Sequence, residues 1–521
     1  MTRCQILSLA LLVCVMVFWT LPVWAGTIGI ATWVRTYNGP GNSHDQACAV
    51  AVDDSGNVYV TGQSEGDGTD WDYATIKYYP NGDIAWSKRC DGPVNGPDIA
   101  LAMAIDGSGN VYVTGHSRGT ENNADYLTIK YYANGDTAWV RRYDGPAGST
   151  DVAHGIAVDF AGNVYVTGGS AGTETDDDYA TVKYDPDGGQ AWVVRYNGPA
   201  NLSDEAHAVA VDNAGNIYVS GMSDGIVTGA DFATIKYDSE GNELWVKRCD
   251  GIETLGDRAY SLTLDEQANV YVTGSSGDSE THAKYATVKY DSSGAEMWSK
   301  TFKAEMTISP GGVGRDIVAD NSGSAWVTGW MRNSETNYDY ATVKYDPEGN
   351  QLWEVRYNSW ADGCDGAEAI AVDGNGNAYV TGWSEDANFK ADDCATVKYD
   401  PEGNQEWVAR YNGSGNYQDA GLAVTVDDSN NVYVTGEAAG TTSGYDYVTI
   451  KYIEIEGTKG DANGDEEVTI LDAVFLVNYL FKNGSAPDPV QIGDANCDGD
   501  VGLVDVVYLV NYLFRNGPPP C

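Results

Sequence analysis

Eight tryptophans punctuate the chain at almost constant intervals. Trp33, Trp86, Trp139, Trp192, Trp245, Trp298, Trp353 and Trp407 are separated by 53, 53, 53, 53, 53, 55 and 54 residues. A period of that length means that one supersecondary unit is copied along the chain, each copy burying its faces against its neighbours. Two further markers keep the same beat. Val-Tyr-Val-Thr-Gly stands at 58–62, 111–115, 164–168, 270–274 and 432–436, with close variants in the other three copies. Ala-Thr-Ile-Lys-Tyr at 74–78 returns as Ala-Thr-Val-Lys-Tyr at 180–184, 286–290, 341–345 and 395–399.

Each unit contains four short apolar or alternating runs, which in the third copy are Gly155–Asp159, Asn163–Thr167, Tyr179–Tyr184 and Ala191–Tyr196. Turn chemistry joins them: Asp-x-x-Gly-Asn between the first two, and Asp185-Pro186-Asp187-Gly188 between the last two. Proline pre-sets φ at the second turn position and glycine takes the left-handed one. The composition agrees, since 62 Gly, 35 Tyr and 15 Trp beside 8 Phe and 7 Met suit many strands and tight turns. The expected fold is all-β, an eight-bladed propeller of four-stranded blades over residues 26–453. A solenoid is the alternative, and would need capping repeats that the sequence does not show. In this register the Trp strand comes last in each blade. Trp33–Tyr37 then has no blade before it, and the copy ending at Thr449–Tyr452 lacks a Trp strand. The two halves are expected to complete one blade and close the ring.

From Trp33 to about Ile453 these motifs resemble the SBBP (beta-propeller) repeats of bacterial secreted proteins. The resemblance implies the fold and little about activity, because such propellers are scaffolds without a common reaction.

With 30 Lys+Arg against 76 Asp+Glu, the formal net charge is −46, which is incompatible with holding a polyanion by counter-ion release. At the start of the chain, Arg3, an apolar run from Ile6 to Phe18 and Val23-Trp24-Ala25 read as a secretory signal spanning 1–25. The mature chain is therefore expected to be secreted or held at the cell surface, with no membrane span after cleavage. Of nine cysteines, Cys4 and Cys14 lie in that leader, so an odd number remains.

Lys77, Lys130, Lys183, Lys236, Lys289, Lys344, Lys398 and Lys451 share one slot, and Arg35, Lys88, Arg141, Lys247 and Lys300 another. Catalysis needs a group once, so recurrence in every blade predicts a structural role, pairing with a blade Asp. His154 and His207 share a slot five residues before the blade Asp, where other copies carry Cys48, Leu101, Tyr260 and Leu422. A variable slot on the innermost strand is a candidate for lining the central channel and holding a ligand. The extra tryptophans Trp330, Trp360 and Trp383 either pack locally or stack on sugar rings. No nucleophile elbow, zincin motif or phosphate loop is present, and the units differ by at most two residues, leaving no room for a catalytic insertion.

The texture changes after a short connector, 454–459. Asp461, Asn463, Asp465, Glu467 and Asp472 occupy positions 1, 3, 5, 7 and 12 of one loop. Asp494, Asn496, Asp498, Asp500 and Asp505 repeat them thirty-three residues later. Calcium takes six to eight oxygens on a tight loop, with position 7 donating its backbone carbonyl. Each loop runs into an apolar helix carrying Leu-Val-Asn-Tyr-Leu-Phe. Ala486-Pro487-Asp488-Pro489 cannot form the entering helix of a full EF-hand. Loop plus exiting helix, twice, resembles the dockerin family over residues 460–521. That resemblance implies two Ca²⁺ ions, a cohesin-like partner and an association with polysaccharide breakdown. Glu466 stands where the family has glycine, and Ile470-Leu471 and Leu503-Val504 where many members have Ser-Thr for cohesin recognition. Cys497, inside the second loop, and Cys521 are expected to pair in an oxidising compartment.

These features together point to a secreted, non-catalytic propeller that binds a glycan or a cell-surface component and carries a calcium-stabilised docking module. The alternative is a dockerin-borne glycoside hydrolase or lyase.

Overall fold

The computed structural model describes residues 26–120, 123–250, 256–277, 284–302, 311–332, 337–359, 363–385, 391–457, 460–463, 468–482, 485–487, 490–496, 501–515 and 520. The strands form eight four-stranded sheets. The first blade comprises β2 (Asp45–Val52), β3 (Val58–Glu65), β4 (Trp71–Tyr78) and β5 (Ile84–Cys90), each antiparallel to the next. Six more blades follow as β6–β9 (98–143), β10–β13 (151–196), β14–β17 (204–249), β18–β21 (257–302), β22–β25 (312–357) and β26–β29 (365–411). The last blade has the order β1 (Gly26–Tyr37), β32 (Tyr445–Gly457), β31 (Val432–Ala439), β30 (Asp419–Val426), so the chain's ends do close the ring as expected.

The motifs acquire physical reasons here. Middle strands such as β3 and β4 are buried on both faces because blades stack against one another, so their Val-Tyr-Val and Ala-Thr-Ile runs carry no polar alternation. The glycine of Val-Tyr-Val-Thr-Gly answers a bulge in the neighbouring first strand. Pairing of β2 with β3 shifts register between Ala47 and Ala49, and a Cβ on Gly62 would fall on the Gln46 carbonyl oxygen. The same clash recurs at Gly168 with Val152. Asp53 caps the next turn, accepting from Ser55 N at 3.0 Å, Asn57 N at 2.9 Å and the Tyr59 hydroxyl at 2.9 Å. Burial opposes its charge, but these bonds outweigh burial and hold Asp53 below the usual carboxylate range.

Tryptophan and lysine rivet one blade to the next. Trp86 Nε1 and Lys77 Nζ both donate to the Ala133 carbonyl of the following blade, each at 3.2 Å. The lysine slot was expected to pair with a blade Asp. That pairing is present, with Asp53 4.0 Å away, and is joined by the closer carbonyl and by the Tyr59 ring 4.7 Å beneath the ammonium. The final blade ends in β32 and offers no turn carbonyl at that place. Glu454 substitutes, accepting from Trp407 Nε1 at 3.2 Å and Lys398 Nζ at 2.6 Å. The strand thus continues into the segment read from sequence as a connector.

Deleting residues 26–38 should expose the edge of β32 and leave the last blade without its outer strand. The truncated chain is expected to melt lower and to aggregate by light scattering. Unchanged melting and solubility would contradict ring closure through β1.

Residues 456–495 and 501–520 gather into a compact unit of their own, distinct from the propeller unit of 28–455. Within it, α1 (Ile470–Lys482) and α2 (Leu503–Arg515) flank a 3₁₀ turn at Val490–Gly493. The buried core is small: Ala462, Ala473, Leu476, Ala495, Val506 and Leu509. Among the described residues, no helix is long and apolar enough to cross a membrane. The expected leader, 1–25, lies outside the described residues.

Candidate calcium loops and channel ring

The two tail loops are built alike. Asp472, at position 12 of the first, is fully buried and accepts from Asn463 N at 3.1 Å and Thr469 N at 2.7 Å. Thr469 is also the N-cap of α1, its Oγ1 accepting from Leu471 N at 3.2 Å. This reciprocal capping box fixes the helix start and the loop end with one carboxylate. In the second loop, Asp505 is equally buried and accepts from Ala495 N at 2.8 Å and Gly502 N at 2.7 Å. Gly460 N bonds the Ile492 carbonyl at 2.8 Å, tying the start of one loop to the approach of the other.

The donor set suits a hard divalent cation. The described loop side chains are oxygen donors: Asp461, Asn463 and Asp472 in one, Asp494, Asn496 and Asp505 in the other. Asp461 and Asp494 are buried as well. Lys482, at the far end of α1, is the one basic residue in 460–482, and 493–505 contains none. Asp465, Glu467, Asp498 and Asp500 lie outside the described residues, as do Cys497 and Cys521. Cys48, Cys90, Cys249 and Cys394 are free thiols.

Both helices present the same exposed apolar face. Ile470, Leu471 and Val474 on α1 correspond to Leu503, Val504 and Val507 on α2, and all six are exposed. Residues at helix positions one, two and five share a side, so each helix carries one contiguous patch.

In the propeller, the bulge in each first strand leaves one residue outside the ladder, and these residues link first strand to first strand around the axis. They are the variable slot of the sequence. His154 Nε2 lies 2.8 Å from Glu205, and His207 Nε2 lies 3.5 Å from the same carboxylate. The two imidazole rings meet edge-to-face with centroids 5.4 Å apart, and Tyr260 stacks on His207. The two histidines hold the Glu205 carboxyl well below its ordinary range. Arg315 lies over Tyr260 at 5.5 Å and reaches Glu368 at 2.7 Å. Cys48, Leu101 and Leu422 occupy the remaining places, so five of the eight places are polar and three apolar.

The sequence analysis singled out His154, His207 and Tyr260 but missed Arg315 and Glu368. They stand five residues before Asp320 and Asp373, so the repeat itself carried the signal. Glu205 was not visible that way, because it reaches the ring from another place on its strand. Of the extra tryptophans, Trp330 packs edge-to-face on Tyr338 at 4.8 Å and Trp383 covers Gly366, so both serve local packing. Trp360 lies outside the described residues.

Comparison with known proteins gives the following. The Dockerin type I domain family matches residues 459–514. The Beta-propeller repeat family matches 138–173, 192–226 and 367–390. An uncharacterized WD repeat-containing protein of Acanthamoeba polyphaga mimivirus is 34% identical over 120 residues, covering 19% of this chain and 8% of that protein. Among solved structures, an ulvan lyase is 12% identical, with a TM-score of 0.40, covering 75% of this chain and 96% of its own. Regucalcin of Agrobacterium tumefaciens is 13% identical, with a TM-score of 0.29, covering 54% and 81%. The chain thus folds as an eight-bladed β-propeller, stretches of which match the Beta-propeller repeat, followed by a segment that matches the Dockerin type I domain.

Proposed function

We propose that this is an exported, non-catalytic propeller that binds a ligand along the polar arc from His154 to Glu368 and is docked to a cohesin-like partner by a calcium-folded tail. Two Ca²⁺ ions would be held by Asp461, Asn463, Asp465 and Asp472, and by Asp494, Asn496, Asp498 and Asp505. Glu467 and Asp500 would contribute backbone carbonyls. The ions supply the charge balance that lets these carboxylates sit together beside a small core.

The observation that carries the docking half is the duplicated apolar face, Ile470-Leu471-Val474 and Leu503-Val504-Val507. An exposed apolar patch repeated on two helices marks an interaction surface. Its partner should present an apolar strip rather than a hydroxyl-matching groove. Because either helix carries the full patch, one intact copy should suffice. Leu471→Asp or Val504→Asp alone is expected to weaken cohesin binding about two- to fivefold, and the pair to abolish it, as read by biolayer interferometry. Undiminished binding by the double variant would refute this face. Turnover of any polysaccharide by the full chain would overturn the non-catalytic half of the reading.

A further inference from the structure

Three carboxylates converge at three of the junctions between blades. Asp72 lies on β4, Asp91 directly after β5, and Asp98 opens β6 of the next blade. One oxygen of each lies within 4.8 Å of the other two. Asp125, Asp144 and Asp151 repeat the cluster at the next junction, and Asp231, Asp250 and Asp257 at a third. In every case the first and last are buried and the middle one is exposed.

Proximity of acids alone would mean little, but each cluster also contains an orphan. Asp72 Oδ1, Asp151 Oδ1 and Asp231 Oδ1 are buried carboxylate oxygens with no hydrogen-bond partner. Such an atom carries an uncompensated desolvation cost, and a buried one calls for a ligand. The partners of the other oxygen set the charge. Asp72 Oδ2 accepts from Arg89 at 2.6 Å and Thr69 Oγ1 at 3.2 Å, while Asp125 and Asp231 accept from Arg142 at 2.8 Å and Arg248 at 2.7 Å. Burial, and then the neighbouring carboxylates, push Asp91 and Asp151 above the usual carboxylate range. In those two clusters a proton or a cation would relieve the repulsion.

We propose that these three junctions each bind a divalent hard cation, calcium, between the blades. Oxygens on opposite sides of a Ca²⁺ at ~2.4 Å are ~4.8 Å apart, so the observed spread fits one ion. The exposed middle Asp gives it a path from solvent, and water completes the shell. Asparagine takes the middle place as Asn38, Asn197, Asn358 and Asn412. Asn38 and Asn197 turn their amides into the following loop, toward Asn42 at 2.7 Å and Asn201 at 2.8 Å. With one charge fewer, those junctions should bind the ion more weakly. The sequence analysis placed calcium only in the tail, because these carboxylates come from two copies of the repeat and form no loop motif.

Equilibrium dialysis of the full chain against calcium in the ~10⁻⁴–10⁻³ M range of extracellular modules tests this. The junction variant Asp91→Asn/Asp144→Asn/Asp250→Asn should bind three fewer ions than the wild type. The tail variant Asp472→Ala/Asp505→Ala should keep those three, and calcium should still raise the melting temperature of its propeller. In chelator the junction variant should melt no lower than the wild type, since an amide removes repulsion and already fills this place in four junctions. Equal ion numbers in wild type and junction variant, or a propeller indifferent to calcium in the tail variant, would overturn the proposal and leave protons in the clusters. Loss of ions in the tail variant reports on the docking module alone, so the two readings fail separately.

Discussion

Arg410→Ala is expected to cost about 3–5 kcal/mol of propeller stability, the usual penalty for removing one partner of a buried ion pair. The guanidinium donates to Asp393 at 2.8 Å, to the Ser384 hydroxyl at 2.6 Å and carbonyl at 2.8 Å, and to the Tyr357 hydroxyl of the preceding blade at 3.2 Å. The Arg410 and Asp393 side chains are only 3% and 7% exposed, so water cannot replace what is lost. One fork thus pins two strands of its own blade and the blade before it. Lysine cannot reproduce that fork, and Arg410→Lys should recover less than half of the loss. The same slot in the first blade, Arg89, is 22% exposed, so Arg89→Ala should cost less. Guanidinium unfolding followed by tryptophan fluorescence measures both. A shift for Arg410→Ala below about 1 kcal/mol would show the pin to be dispensable.

Much of the architecture was legible because a repeat exposes its own slots. Trp33 without a blade before it and Thr449–Tyr452 without a Trp strand after it were enough to foresee ring closure. The repeat could not show which slot faces which across the gap between blades. Lys77 was read as the partner of a blade aspartate, and Asp53 does lie 4.0 Å away. Its closer acceptor, the Ala133 carbonyl, belongs to the next copy and was not visible. Glu454 looked like linker because its role, replacing a missing turn carbonyl for Trp407 and Lys398, exists only where the ring is sealed. The mostly polar ring depends on the first-strand bulge, and no periodicity in the sequence announces that bulge. Once the bulge is known, the glycine of Val-Tyr-Val-Thr-Gly reads as its signature. The tail was legible for the opposite reason. Its acidic pattern is local, Asp461 to Asp472 falling within one loop, and the Dockerin type I match covers it.

Removing calcium should unfold the tail and spare the strands of the propeller. A cluster of six buried alanine, valine and leucine side chains, with half-buried neighbours such as Phe475 and Tyr508, is too small to stabilise two thirteen-residue helices unaided. Asp461 and Asp472 in one loop, and Asp494 and Asp505 in the other, are buried carboxylates that repel when no cation lies between them. With the ion, each loop closes on its position-12 carboxylate, and that carboxylate caps the helix. Metal binding and helix formation are then one event, and Asp494→Ala should leave one of two sites. The propeller differs because every blade buries its own cluster of tyrosine, valine and alanine, such as Tyr78, Val58, Val60 and Ala74. The most direct measurement is hydrogen–deuterium exchange on the full chain, with calcium and then with chelator. Amides of 470–482 and 503–515 should be protected only with calcium, while those of 58–62 and 74–78 stay protected in both. Helices that remain protected in chelator, or middle strands of the propeller that open there, would contradict a calcium-folded docking module on a self-sufficient propeller.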